Sequence, residues 1–277
     1  MARTLEERIA LACKLASEFP LETLHDRAAI DAASASAIPA QCFQTAEVRR
    51  FGRRHHAALQ ELRALNPELH FLLFDAHQRD RYMAEHWGDQ PIGALYRRAR
   101  FGAMRADIFR YCVVFERGGF YLDINKLVVA PLLTFLGAED RGLICFENNW
   151  CQLPASPQAA QRLQHPNNYV VQWGFGFAPR HPILEAMINN ICSYAASYMG
   201  TSFAEPSEAI RSLTGPGLFT QTVRHYFEHN DGAKVCQVGI DFNQLLRYPL
   251  ERQVMYLGRG HYKDARDEII FSLEDQD

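Results

Sequence analysis

Lysine is almost missing from this sequence: only four of its 29 cationic side chains are lysines, and the rest are arginines. Nor is there any excess of cations, since 29 basic against 32 acidic residues leaves a net charge of −3. A chain-wide nucleic-acid-binding role, which leaves a basic footprint, is therefore not expected. No CxxC pair occurs among the seven cysteines, so neither a zinc framework nor a redox pair is indicated, and the odd count suits a reduced cytoplasmic setting. Nowhere do ~18 apolar residues run together, which excludes a transmembrane helix by pattern. The opening Met1–Arg8 breaks any apolar run with charge, so no secretory signal is expected. Internal repeats and low-complexity blocks are absent too. What is present is ordinary for a globular chain: 277 residues, 48% hydrophobic and 22% charged, enough to bury a core without staples.

Hydrophobic spacing predicts an N-terminal helix over Leu5–Phe19, then a connector at Ala32–Ala37. Beyond it, Ile38–Thr45 reads as a strand, Glu47–Leu65 as a helix and Leu69–Asp75 as a buried strand. Helices follow at His77–Trp87 and Ala103–Arg117, the second stopped by Gly118-Gly119, and Phe120–Leu122 is a strand. Strand and helix in alternation predict an α/β fold with a largely parallel sheet. In the second half, Glu147–Asn168 reads as a long loop, Tyr169–Ala178 as a strand, and His181–Tyr198 and Leu218–His229 as helices. Short strands are expected at Lys234–Val238 and Gln253–Leu257. From Asp264 to Asp277 six acids face one arginine, a net −5, which reads as a loose end or flap.

The chemistry concentrates in Ala106-Asp107 … Arg110-Tyr111 … Gly118-Gly119-Phe120-Tyr121-Leu122-Asp123-Ile124-Asn125. Asp107 and Arg110, three apart on a helix, share one face, away from the apolar stripe of Met104, Ile108, Tyr111 and Phe115. Asp123 and Asn125 lie two apart at a strand end, so extended backbone would point both the same way. A carboxylate beside an amide oxygen at such an edge suits a hard divalent ion shared with phosphate. Taken singly, an Asp-x-Asn is more often a plain turn, and an Asp/Arg pair more often a surface ion pair. The fixed offsets and the glycine pair between them change that balance.

In this segment the sequence resembles the glycosyltransferases with a DXD-containing sugar-binding region. That group takes in initiating α-mannosyltransferases, bacterial capsule and lipopolysaccharide transferases and, more distantly, clostridial glucosylating toxins. Ile38-Pro39 … Gln44-Thr45, Asn66-Pro67, Trp173–Ala178 with His181-Pro182, and Thr214-Gly215-Pro216 agree with flanking segments of the pattern. The resemblance implies an α/β, Rossmann-like GT-A domain over residues 38–263, with a helical extension at 1–37 and an acidic tail at 264–277. It implies transfer of a hexose, with retention, from a UDP- or GDP-sugar to a glycan, lipid-linked glycan or protein. It also implies a bound Mn²⁺ or Mg²⁺. Carried over residue by residue, Asp107 and Arg110 would hold donor hydroxyls, and Asp123 would contact the ribose and the metal. The second motif acid falls on Asn125, which removes a charge and the bidentate option and should weaken metal binding. Three explanations stay open: a natural variant that tolerates the amide as ligand, a metal-independent enzyme, or an engineered inactive form; the alternative function is that of a silent nucleotide-sugar binder.

Lys126 could aim its ammonium at the diphosphate, although alternation would send it to the opposite face. His261, in Gly258–Tyr262, loosely matches a histidine loop that closes on the metal. Phe43 is a candidate for stacking on the base, and Trp173 and Trp150 for shaping the sugar or acceptor pocket. Asn148, Asn149 and Asp241 are further polar candidates. Two arginine-rich stretches, 46–65 (net +3) and 91–117 (net +4), are candidates for docking on an anionic membrane or a phosphorylated acceptor.

Overall fold

The computed structural model describes residue 7 and residues 20–30, 36–250, 252 and 262–272. The predicted helix Leu5–Phe19 apart from Glu7, most of the connector, the strand Gln253–Leu257 and His261 lie outside these. A seven-stranded sheet organises the chain, built from β1 (Gln41–Thr45), β2 (His70–Phe74), β3 (Gly119–Leu122), β4 (Gly142–Trp150), β5 (Asn168–Val170), β6 (Gly174–Phe177) and β7 (Val235–Ile240). The order is β7-β4-β6-β3-β1-β2, with β5 paired to β4. Pairs β1·β2, β1·β3 and β4·β7 are parallel, whereas β6 runs against both β3 and β4. The α/β class with a mostly parallel central sheet is thus the one expected.

Because successive strand residues face opposite ways, the sheet feeds two separate cores. Phe43, Tyr121, Ile144 and Phe146 point into one, and Cys42, Phe120, Leu143 and Cys145 into the other. The first core is closed by α2 (Ala76–Trp87), α3 (Pro91–Arg98), α4 (Gly102–Arg117), α6 (Pro182–Tyr194), α7 (Pro206–Leu213) and α8 (Pro216–His229). The second is covered by α1 (Arg53–Leu65) through Leu59 and Leu62. A short helix, α5 (Pro157–Arg162), breaks the predicted loop 147–168, whose first residues extend β4 instead. The predicted strand Tyr169–Ala178 is likewise two strands with a bend at 171–173.

Both chain ends depart from expectation. Within the segment read as a helical extension, Glu22–Thr23 pairs as a strand with Arg50–Phe51, and Leu24 is fully buried. Within the acidic tail, Glu268–Ile269 pairs with Ser202–Phe203, and Ile270 and Phe271 are fully buried. The six acids of the tail had masked two apolar residues that dominate its placement. Among the described residues no helix is long and apolar enough to cross a membrane.

The glycine pair has a backbone cause. Gly118 follows α4 at φ 65°, closing the helix, and Gly119 follows at φ 105°. A Cβ on Gly119 would sit 2.6 Å from the Gln41 carbonyl oxygen. Gly119→Ala is expected to destabilise the protein by ~1–3 kcal/mol, the cost of holding an L-residue in that region. Urea denaturation checks this; wild-type stability in the variant would remove the backbone explanation.

Candidate functional site

Parallel strands bring their C-terminal ends to one sheet edge, where Thr45, Asp123, Glu147 and the residues after β7 gather. Reversed β6 delivers its N-terminal end to the same edge: the Asp123 amide donates to the Trp173 carbonyl at 2.8 Å. A cavity of about 1110 Å³ opens there, lined by Asp107, Arg110, Asp123, Asn125, Lys126 and Trp173 among others. Open α/β sheets bind ligands at this edge.

At its floor lies a buried charged unit. Arg110 Nη2 stands 3.1 Å from Asp107 Oδ1 and 3.1 Å from Asp123 Oδ1. Its Nη1 donates to the Gln172 carbonyl at 2.9 Å and to Gln172 Oε1 at 2.5 Å, and its guanidinium lies 4.6 Å from the Tyr121 ring centroid. Gln172 Nε2 donates to Asp107 Oδ1 at 2.7 Å, the Thr214 hydroxyl to Oδ2 at 3.1 Å, and the Tyr121 hydroxyl to Asp123 Oδ1 at 3.0 Å. Asp107 and Arg110 are buried, whereas 27% of the Asp123 side chain is exposed, so Asp123 is the acid that faces the cavity. This is not the surface ion pair that Asp107 and Arg110 resemble in isolation.

Burial pushes the Asp107 carboxyl up to about 6, although Arg110, Gln172 and Thr214 pull it partway back. For Arg110 burial opposes the charge, but Asp123, Tyr121 and Asp107 outweigh it and hold the guanidinium more firmly protonated than usual. Tyr262, on the cavity wall, is pushed up to about 12 by burial and by the two acids. Glu147, also on the wall, is raised by burial, which Lys126 and Asn149 oppose.

Several sequence-derived placements change. Phe43 does not reach the cavity: it is fully buried, 6.3 Å from Phe74 and under Arg117, so its stacking on a base is corrected to a core role. Lys126 does not point away. Residues 123–126 form a turn, closed by the Lys126 amide donating to the Asp123 carbonyl at 3.0 Å, so strand alternation stops at Leu122. Lys126, Asn125 and Asp123 consequently line one cavity. Trp173 lines it too, packed 5.7 Å from Phe242. Trp150 stands at the wall 79% exposed, beside Asn149, Gln152 and Tyr169. Asp241 opens a run at 241–244 with positive φ throughout, which seats Phe242 in the core.

Sequence reasoning passed over Gln172 and Tyr121. Gln172 lies 65 residues from Asp107, and nothing in its own neighbourhood marks it. Tyr121 was visible inside the motif but reads as a core residue, which it also is. The arginine-rich stretches are mixed: Arg50, Arg53, Arg54, Arg100 and Arg117 are exposed, whereas others are engaged within the fold. Arg63 is buried against the His25 carbonyl, Arg49 pairs with Asp26 at 3.1 Å, and Arg110 is the floor of the site.

The residues at the floor form a weak donor set for a divalent ion. Asp123 already spends Oδ1 on Arg110 and Tyr121; Asn125 offers a neutral amide; and Lys126 lines the same cavity. Divalent ions of this kind seek carboxylates together with phosphate oxygens. A carboxylate oxygen already tied to a guanidinium, with an amide in place of the second acid and a further cation nearby, fits such an ion poorly.

Residues 52–143 match the family described as "Glycosyltransferase sugar-binding region containing DXD motif", so the resemblance read from the motif holds. The match takes in α1, β2, α2–α4 and the whole Asp107–Asn125 segment, and members of that family generally use divalent metals. It is 23% identical over 176 residues to the initiation-specific alpha-1,6-mannosyltransferase of Schizosaccharomyces pombe, covering 60% of this chain and 43% of that protein. The enzyme of the same name from Candida albicans is 24% identical over 214 residues, covering 69% and 54%. The chain therefore spans about half the length of these relatives. A solved structure titled "PaToxG Glycosyltransferase" superposes with a TM-score of 0.47 at 13% identity, covering 82% of this chain and 78% of that one. An active-site mutant of LgtC gives 0.38 at 14% identity, covering 72% of each.

Proposed function

We propose that this protein is a GT-A glycosyltransferase that moves a hexose, with retention, from a nucleotide-diphosphate sugar to a glycan, lipid-linked glycan or protein acceptor. The buried Asp107–Arg110–Asp123 unit at the cavity floor carries this reading. Its carboxylates offer acceptors for sugar or ribose hydroxyls, and its guanidinium fixes them in place without a flexible search. Transfer leaves charge on the departing diphosphate, so fixed cations facing it are the main electrostatic requirement. Mannose is the first hexose to test, because two relatives bear the name mannosyltransferase. At the outer wall, exposed Trp150 with Asn149, Gln152 and Tyr169 supplies an aromatic face and amide groups suited to a sugar acceptor.

The test is a panel of UDP- and GDP-hexoses, with nucleotide release followed in the presence of mannose oligosaccharides. One donor is expected to turn over. Binding of a donor without turnover would favour the silent binder, and neither binding nor turnover across the panel would sink the reading.

A further inference from the structure

Four cavity-wall arginines already have carboxylate partners. Arg79 meets Glu47 at 3.1 Å, Arg100 meets Glu268 at 3.3 Å, Arg211 meets Glu208 at 3.3 Å, and Arg110 holds both motif acids. Lys126 is held differently. Its Nζ lies 5.0 Å from the Trp173 ring centroid and 4.3 Å from that of Tyr248, and donates to the Tyr248 hydroxyl at 3.1 Å. Two π faces and a neutral hydroxyl fix an ammonium without cancelling its charge. That charge reaches Glu147 and Asp241, where it opposes the upward push of burial. The mount is also rigidly tied to the motif. The Trp173 carbonyl accepts from the Asp123 amide, and the Lys126 amide closes the 123–126 turn on the Asp123 carbonyl.

Charge arithmetic at the floor points the same way. Asp107, Arg110 and Asp123 sum to −1, and Lys126 brings these four to zero, so the motif itself adds no net repulsion to an incoming diphosphate, with Glu147 the remaining acid of the cavity wall within reach of the lysine. A motif with a second carboxylate at position 125 would leave that sum at −1 and call for a dication. The sequence has an amide there and a lysine next to it.

We propose that Lys126, mounted between Trp173 and Tyr248, forms a metal-independent binding site for the diphosphate of a nucleoside diphosphate. The site rests on the donor reading given above and deepens it: the lysine takes the place that a divalent ion would otherwise fill beside Asp123. It follows that Asn125 is a matched change and not a lesion.

Calorimetry of the full chain with UDP and with GDP, in EDTA and then with Mn²⁺, tests this without any turnover. One of the two nucleotides is expected to bind in EDTA, with Mn²⁺ changing Kd by less than about threefold. Lys126→Met should weaken metal-free binding about 10- to 100-fold, the range for a lost hydrogen bond to a charged group, and Lys126→Arg should keep part of it. Circular dichroism confirms that both variants are folded. Asn125→Asp should make binding respond to Mn²⁺. Binding that improves more than about tenfold with Mn²⁺, or that is indifferent to Lys126→Met, overturns the lysine site and leaves the donor reading standing. Absence of binding by either nucleotide under both conditions removes the two together.

Discussion

Arg110→Met is expected to lower stability by ~3–5 kcal/mol, the largest effect of any single substitution considered for this protein. The reason is not the loss of attraction alone. Arg110 is buried, and its removal leaves Asp107 without its nearest counter-charge and Asp123 with only the Tyr121 hydroxyl on Oδ1. It also takes from the Gln172 carbonyl and Oε1 the Nη1 donor they share, so the link between α4 and the bend before β6 goes as well. Methionine fills similar volume, which confines the effect to charge and hydrogen bonding. Urea denaturation at neutral pH measures it. Combining the change with Asp107→Asn should recover part of the loss, because the stranded carboxylate then becomes neutral. A loss below about 1 kcal/mol, the range of exposed pairs, would mean that the unit is effectively solvated.

The second large effect is a pH dependence located at Asp107. Its carboxyl is raised from 3.8 to about 6 in the folded protein, burial being the first cause. A folded state that binds its proton more tightly than the unfolded chain gains stability as pH falls. The contribution is fully present below ~4 and is lost as pH rises through about 6. A shift of about two units corresponds to roughly 3 kcal/mol. Since other acids also titrate in this window, the clean measurement is a difference. Asp107→Asn should match the wild type near pH 4 and exceed its stability by about 3 kcal/mol above pH 6.5. A pH-independent difference would contradict the assignment. The same variant should bind donor less well at neutral pH, because it cannot offer Arg110 an ionised partner. A position at which the more stable residue is the less useful one is what a binding site produces.

The legible parts of the fold were those set by local pattern. Helices α2, α4 and α8 and strands β1, β2 and β7 lie within a few residues of the predicted spans, because each carries its own periodicity or cap. Asp75, for example, caps α2 with a reciprocal Gln78 contact. Less legible were features decided by long-range partners. Phe271 reads as one apolar residue in an acidic tail, yet it is buried and bridges to Ala99 across the fold. In the site, Asp107, Arg110 and Asp123 were visible through their spacing, whereas Gln172 entered only through the chain reversal at β6. Lys126 was misdirected by one assumption, that the strand continues past Leu122. A four-residue turn reverses the conclusion drawn from it, because alternation has meaning only while the backbone stays extended.

The reversal of β6 has a consequence for how this protein can vary. A strand that runs against its neighbours offers the site the segment by which it enters, so residues 171–173 are bound to the motif. Its exit, after Phe177, lies at the far edge of the sheet, where Gly142 and Gly119 pair with that residue. Lengthening the entry would displace Gln172 and Trp173 from their partners, and the exit is anchored as well: Ala178 is fully buried with its amide on the Arg141 carbonyl, and the Arg180 amide donates to the Phe115 carbonyl. One reversed strand thus couples the motif at one edge of the sheet to the packing of the opposite edge, so that a change of register in it would be felt at both.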